Sequence, residues 1–236
     1  MKKQFMTCLV LSFFIVFSSC MTKKRLIREK FRSLEGKEDV TVVIMGNSLY
    51  GKRWLSETDS VQGNFLKKEL NDIMDSRISI INTSLPDDTV SSAIRRVQAD
   101  ILSYRPDIVL LMLGFMDANR AGLSKVTYRD QLKELYGILK KHNVFVIVLT
   151  TTGFRDTNTA YDSRVERLDE FNEITIWEAG HHNFPVINVA TYMDRMRISA
   201  NDEYRSMFGN DFILNDKGQE YIMAYVIKHI RKACKK

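Results

Sequence analysis

A serine follows directly after a predicted buried strand, in the segment Gly46-Asn47-Ser48. The strand, residues 40–45, is apolar and rich in β-branched side chains, and the glycine permits a sharp turn at its end. A hydroxyl lifted clear of a sheet can act as a nucleophile in acyl transfer if a base takes its proton. Ser48 is therefore the candidate catalytic residue, and the presence of a base decides what the protein does.

Carboxylates form the second group of residues that could do chemistry. Asp87, Asp88 and Asp117 follow other predicted strands, and Asp211 precedes the last predicted helix. One interpretation is a polar pocket for sugar hydroxyls or for a hard cation such as calcium. The other is ordinary loop chemistry, with Asp88 capping its helix and Asp117 holding the loop after the third strand. We favour the second interpretation and expect neither a metal ion nor a cofactor.

The elements that must position these residues alternate along the chain. Strand-like runs rich in valine and isoleucine occur at residues 40–45, 78–81, 108–113, 144–149 and 186–189. Most are continuously apolar, which is typical of parallel strands covered on both faces. Apolar stripes at helical spacing fill the gaps, and a last helix follows Asn215 and Asp216. The pattern predicts one α/β domain, a three-layer α/β/α sandwich with a five-stranded parallel sheet.

In such sheets the functional site lies beyond the carboxyl ends of the strands. Four segments at this predicted edge resemble, in order and spacing, the signature blocks of the SGNH, or GDSL, hydrolases. That family's pattern is Gly-Asp-Ser-Leu, then Asn with Ser-Gly-Asp-Thr, then Gly-x-Asn-Asp, then Asp-x-x-His-Leu-Asn. The matching segments here are residues 46–49, 82–89, 114–117 and 210–218. The resemblance covers about residues 40–232 and implies the flavodoxin-like sheet of that family.

The resemblance also implies roles, and most of the matching positions depart from the family. Ser48 matches the nucleophile, while Asn47 replaces the aspartate beside it. Asp87 stands where the family has its oxyanion glycine, and Met116 where it has its oxyanion asparagine. Asn210 stands at the position of the triad aspartate and Ile213 at that of the triad histidine, and these two changes remove the base.

The missing base is the larger defect. Removing a triad member typically lowers the rate by about 10⁴ to 10⁶, and losing one oxyanion donor by about 10² to 10³. None of the four histidines is expected to substitute. His142, His181 and His182 precede predicted strands and so lie at the amino edge of the sheet, and His229 lies about four turns into the last helix.

The first 19 residues are predicted to be a lipoprotein signal peptide. Lys2 and Lys3 precede a short apolar run, residues 10–17, and Ser18-Ser19-Cys20 resembles a bacterial lipobox with lipidation at Cys20. The alternatives are an ordinary signal peptide and an uncleaved anchor. Residues 20–38 are then a charged tether, and residues 39–236 the hydrolase-like domain. Only Cys234 would keep a free thiol, which excludes an intramolecular disulfide.

The net charge of +6 is concentrated near the two ends of the chain. Basic runs of this kind bind nucleic acid or anionic lipid. Because no aromatic residues are interleaved and a lipid anchor is close by, we favour a tether lying over a membrane and expect no nucleic-acid partner. The predicted location is the bacterial cell envelope, at the outer membrane or the periplasmic face, and the predicted state is a monomer.

Three functions remain open at this point. The first is an envelope lipoprotein with impaired or lost catalysis, whose cleft still binds an acylated glycan or lipid. The second is an active serine esterase for O-acyl or O-acetyl esters, with Ser48 and a non-standard base such as Asp87 or Asp211. The third is a scaffold for envelope partners.

Overall fold

The computed structural model describes residues 23–46, 61–155 and 163–235. Helices and strands alternate along these segments. The elements are α1 (residues 23–34), β1 (Asp39–Gly46), α2 (Val61–Met74), β2 (Arg77–Asn82), α3 (Val90–Asp100), a 3₁₀ turn (Leu102–Tyr104), β3 (Ile108–Met112), α4 (Phe115–Asn119), α5 (Lys125–Lys141), β4 (Val146–Leu149), α6 (Ser163–His181), β5 (Val186–Ile187), α7 (Val189–Ser199), α8 (Asn201–Ser206) and α9 (Asp216–Cys234).

The five strands form one parallel sheet in the order β2-β1-β3-β4-β5. This confirms the predicted fold class. The order reverses between β1 and β3, so the crevice beyond the carboxyl ends of these two strands is the expected position of a ligand site. In register, Gly46 at the end of β1 lies opposite Met112 at the end of β3.

The core explains why the strand predictions succeeded. The central strands are almost wholly buried, with Val42, Val43 and Ile44 of β1 at 0% exposure, so their sequences are continuously apolar. Strand β5 is shorter than predicted and stops at Ile187. The reason is Asn188, whose side-chain oxygen accepts a hydrogen bond from the Thr191 N–H at 3.0 Å and so begins helix α7.

Residues 23–34, which the sequence assigned to the charged tether, form helix α1 and belong to the folded domain. One face of this helix is buried in the common core through Ile27, Phe31 and Leu34. These residues are spaced as one stripe of a helix, and the intervening positions carry the charge. The charged residues are therefore the solvent face of a packed helix.

Helix α1 packs at the amino edge of the sheet, opposite the predicted site. The Leu34 carbonyl accepts a hydrogen bond at 3.0 Å from the hydroxyl of Ser76, the residue before β2. Lys37, just beyond the helix, forms a 2.5 Å ion pair with Asp107, the residue before β3. Lys30 lies 6.0 Å from the ring centroid of Phe145, the residue before β4. Contacts with the residues that precede β2, β3 and β4 therefore fix the position of helix α1.

Among the described helices, none combines the length and the apolar character needed to cross a bilayer.

Candidate functional site

The end of β1 is a glycine because β3 lies too close for a side chain. A Cβ on Gly46 would lie 2.1 Å from the Met112 carbonyl oxygen, closer than any real contact. The Gly46 carbonyl accepts a hydrogen bond at 3.0 Å from the Leu85 N–H in the loop after β2. The first two signature segments are thus adjacent. Asn47 and Ser48 themselves, like Cys20, lie outside the described residues.

The second segment contains one exposed and one buried carboxylate. Asp87, at the position of the family's oxyanion glycine, is exposed. Asp88 is buried and accepts hydrogen bonds at 2.5 Å from both the Ser92 hydroxyl and the Arg96 guanidinium. Burial raises the pKa of Asp88, against the opposing effect of Ser92 and Arg96. The helix cap expected at Asp88 is instead Thr89, whose hydroxyl accepts from the Ser92 N–H.

Two buried polar atoms in this segment have no hydrogen-bond partner among the described residues. They are the side-chain amide nitrogen of Asn82 and the hydroxyl of Ser84, a residue that is only 4% exposed. Asn82 lies at the end of β2, in register with Ile44 of β1. Buried polar atoms are paired in most proteins, and an unpaired one needs a reason such as a ligand. Both atoms lie at the carboxyl edge of the sheet, where the segment that contains Ser48 follows β1.

Asp117 joins the third segment to the second. It is 1% exposed, and its two carboxylate oxygens accept hydrogen bonds from the Val90 N–H at 3.1 and 3.2 Å. The carboxylate therefore faces the first turn of α3 and fixes the loop after β3, as loop chemistry predicts. Burial raises the pKa of Asp117 to about 7. Because Asp117 is enclosed and already bonded, it positions the site and is a poor proton acceptor for a substrate.

The fourth segment is a tight loop that uses the side chain of Asn210. Its side-chain oxygen accepts hydrogen bonds from the Phe212 N–H at 3.0 Å and the Ile213 N–H at 2.8 Å. Ile213, at the position of the family's histidine, is partly buried. The Asp211 carboxylate is 3.2 Å from the Arg164 guanidinium. The two positions that the resemblance assigns to the family's base thus hold an aliphatic side chain and an amide engaged in a turn.

An aromatic cluster brings the third and fourth segments together. Phe115 stacks on Phe212 with ring centroids 5.9 Å apart and also contacts Phe154, in the loop after β4, at 5.3 Å. Met116 follows Phe115 at the position of the oxyanion asparagine and packs partly buried against the core. Sequence reasoning did not single out this cluster. Its signal was an aromatic residue in each of three segments predicted at the same edge.

The four histidines lie away from this edge, as predicted. His142 caps the end of α5 before β4, His181 ends α6, and His182 follows in the turn before β5. His229 is in the fourth turn of α9, with its ring against Tyr225. Within residues 23–46, 61–155 and 163–235 no group of three or more His, Cys, Asp or Glu side chains is arranged to hold a metal ion.

The buried Asp117 carboxyl should make stability depend on pH. An exposed aspartate has a pKa of 3.8, whereas Asp117 in the folded protein has a pKa of about 7, so between these values only the folded state holds the proton. The protonated Asp117 therefore stabilises the folded state fully below pH 4. This stabilisation, roughly 4 kcal/mol at most, is lost as the pH rises from 4 to 7.

The variant Asp117→Asn cannot ionise but keeps an oxygen that can accept from Val90. Relative to the wild type, its free energy of unfolding should increase between pH 4 and pH 8, as measured by urea unfolding at several pH values. Wild-type and variant curves that run parallel over this range would contradict the assignment of this pKa to Asp117.

Comparison with known proteins agrees with the predicted fold and family. The sequence pattern of the GDSL-like lipase/acylhydrolase family matches residues 44–221, three quarters of the chain. The protein therefore belongs to this family. No curated protein matches the sequence.

Solved structures of similar fold include three hydrolases. LAE5, an α/β hydrolase from the metagenome of Lake Arreo in Spain, has 19% identity and a TM-score of 0.68, covering 86% of this chain and 98% of its own. The lipase/acylhydrolase of Enterococcus faecalis has 23% identity and a TM-score of 0.64, with coverages of 82% and 96%. Axe2, an acetylxylan esterase of Geobacillus stearothermophilus, has 15% identity and a TM-score of 0.69, with coverages of 84% and 95%. At these identities the likeness concerns the fold.

Proposed function

We propose that this protein is a lipid-anchored protein of the bacterial cell envelope whose GDSL-type domain binds an acylated glycan or lipid and hydrolyses it very slowly or not at all. The observation that carries the proposal is Ile213 at the position of the catalytic histidine, with Asn210 at the position of its aspartate. An aliphatic side chain cannot take a proton from Ser48. A serine hydroxyl without a base is a poor nucleophile at neutral pH.

Retained binding is supported by the surface of the same edge. Leu85 and Phe212 are 42% and 40% exposed, although both are large apolar side chains. Ligand pockets are lined mostly by apolar side chains with a small number of polar groups. The unpaired Asn82 amide and Ser84 hydroxyl would supply hydrogen bonds to a carbonyl or a sugar hydroxyl, and the apolar side chains would contact an acyl group. Because Axe2 acts on acetylated xylan, an O-acetylated glycan is the first ligand to test.

The competing function is an active esterase with another base. Ser48 at the nucleophile position favours this function. The environments of the two carboxylates considered as its base argue against it. Asp87 is exposed, and Asp211 is paired with Arg164. In a catalytic triad, a third group orients the base toward the nucleophile, and among the described residues neither carboxylate has such a partner arrangement.

Two assays on the full chain test the proposal. Hydrolysis of p-nitrophenyl acetate should be equally negligible for the wild type and for Ser48→Ala. Calorimetry should detect binding of an acetylated xylooligosaccharide, weakened about tenfold by Phe212→Ala and by chemical deacetylation of the sugar. The exposed residue Val126, outside the cleft, provides the control Val126→Ala. Turnover that disappears in Ser48→Ala would establish the esterase, and the absence of both turnover and binding would favour a scaffold.

A further inference from the structure

The charge of this chain is divided between its ends and its middle. Residues 23–38 contain seven basic and three acidic side chains, and residues 228–236 contain five basic and no acidic ones. Residues 39–227 contain 21 basic and 26 acidic side chains. The terminal segments thus carry a net charge of +9 and the remainder of the domain −5. A separation of this size creates a surface with a definite preference for anions.

The fold brings the two basic segments to the same place. Helix α9 begins beside the candidate site at Asp216 and, with 19 residues, rises about 28 Å toward the opposite edge of the sheet. There the Arg28 guanidinium of α1 donates a 2.8 Å hydrogen bond to the carbonyl of Ala233 near the end of α9. The basic surface is therefore continuous and lies at the amino edge, where α1 packs against the beginnings of β2, β3 and β4.

The basic side chains of this surface point to solvent. On α1 the side chains of Lys24, Arg25 and Arg32 are exposed, as are Lys232 in the last turn of α9 and Lys235 just beyond it. One acidic residue of this helix face, Glu29, is paired with Arg25 at 3.3 Å. We call the surface formed by the exposed residues of α1 and the last turn of α9 the amino-edge basic face.

We propose that the amino-edge basic face binds the surface of an anionic bilayer, so that the candidate site points away from the membrane. The orientation rests on the proposed function insofar as that function includes a lipid anchor at Cys20. Three peptide units separate Cys20 from Lys23 at the start of α1, and they span at most about 11 Å. Strand β1, with eight residues, holds the carboxyl edge about 26 Å from the amino edge.

The choice of an anionic lipid surface follows from position as well as charge. A chain anchored at Cys20 brings α1 within the distance over which anionic headgroups attract basic residues, about 8 to 10 Å at ordinary salt. The acidic remainder of the domain is repelled from the same surface. The short connection and the charge separation therefore favour one orientation.

The orientation can be measured on the full lipidated chain in vesicles. A fluorophore is attached to a single cysteine, either Lys232→Cys on the basic face or Asp87→Cys at the site, in a Cys234→Ala background. Headgroup-attached quencher should reduce the fluorescence at position 232 at least fivefold more than at position 87 when the vesicles contain 30% phosphatidylglycerol. This ratio should fall toward one in phosphatidylcholine vesicles or in high salt.

Charge reversal supplies the decisive comparison. The triple variant Lys24→Glu, Arg32→Glu, Lys235→Glu should abolish the difference between the two positions. The matched variant Lys67→Glu, Arg95→Glu, Lys133→Glu changes the same charge at exposed residues of α2, α3 and α5 and should retain it. A ratio unaffected by lipid charge, salt and the first triple variant would show that the short connection alone orients the domain, and would overturn the proposal.

Failure of the anchor can be separated from failure of the basic face. The mass of the purified chain reports whether Cys20 carries acyl groups. If it does not, sedimentation of the same chain with phosphatidylglycerol vesicles still tests the face, because each basic residue near such a surface contributes about fivefold to binding. Binding should weaken at least tenfold in the first triple variant. Tighter binding to a DNA duplex than to these vesicles would overturn the lipid assignment.

Discussion

Restoring the family's residues at Asn210, Ile213 and Met116 should turn this protein into a measurable esterase. In the variant Asn210→Asp, Ile213→His, Met116→Asn, the imidazole can take the proton of Ser48, the carboxylate can orient the imidazole, and the amide can donate to the oxyanion. A complete triad is worth about 10⁴ to 10⁶ in rate, and one oxyanion donor about 10² to 10³. We expect kcat/KM for p-nitrophenyl acetate to rise at least about 10³-fold, since the surrounding residues are not adapted to the new base.

The turn of the fourth segment should tolerate the substitution at residue 210. The Asn210 oxygen that accepts from the Phe212 and Ile213 N–H groups has a counterpart in aspartate, so the turn should survive the substitution. Adding Ser48→Ala to the triple variant should return the rate to the wild-type level. A triple variant that folds normally by circular dichroism but stays at that level would show that more than the missing base and donor silences this site.

The sheet could be predicted from the sequence because burial on both faces leaves a strong local pattern. A strand such as β3, with residues Ile108 to Met112 all buried, must be apolar throughout. Strand β5 shows the limit of this reasoning. Its apolar run continues into Val189, but Asn188 caps α7 between them, so a side-chain hydrogen bond ends the strand that hydrophobicity alone would extend.

The helix α1 was missed as a core element for a similar reason. Ile27, Phe31 and Leu34 recur at helical spacing, yet six basic residues in the same stretch suggested a solvated tether. The composition of an amphipathic helix includes the charged residues of its exposed face, so a high charge does not show that the helix lacks a buried face. Whether such a helix docks depends on the apolar surface available elsewhere in the fold, which a local pattern does not reveal.

At the candidate site, residue identities were accessible from the sequence and their pairings were not. The sequence alone shows Ile213 at the position that the resemblance assigns to the family's histidine. The bond between Asp117 and Val90 joins residues 27 positions apart, and that between Arg164 and Asp211 joins residues 47 apart. Only the packed structure shows that the first carboxylate is enclosed and the second is paired. Under the proposed function, these contacts weigh against either group as a base for Ser48.

Replacing Phe31 in α1 by alanine should destabilise the whole domain by about 3 to 5 kcal/mol. Phe31 is 3% exposed in the common core, and removal of a buried phenylalanine side chain costs both transfer free energy and a cavity. Because a domain of this size is stabilised by only about 5 to 15 kcal/mol, the loss is a large part of the total. Urea unfolding should show a lower midpoint with an unchanged slope, because the surface exposed on unfolding stays the same.

The neighbouring exposed residue supplies the control. Arg32→Ala should change the free energy of unfolding by no more than about 0.5 kcal/mol, since surface substitutions away from specific contacts have small effects. If Phe31→Ala were as mild as Arg32→Ala, residues 23–34 would be a dispensable tether. The domain could then rotate freely about the proposed anchor, and the orientation proposed for the amino-edge basic face would lose the rigid connection on which it depends.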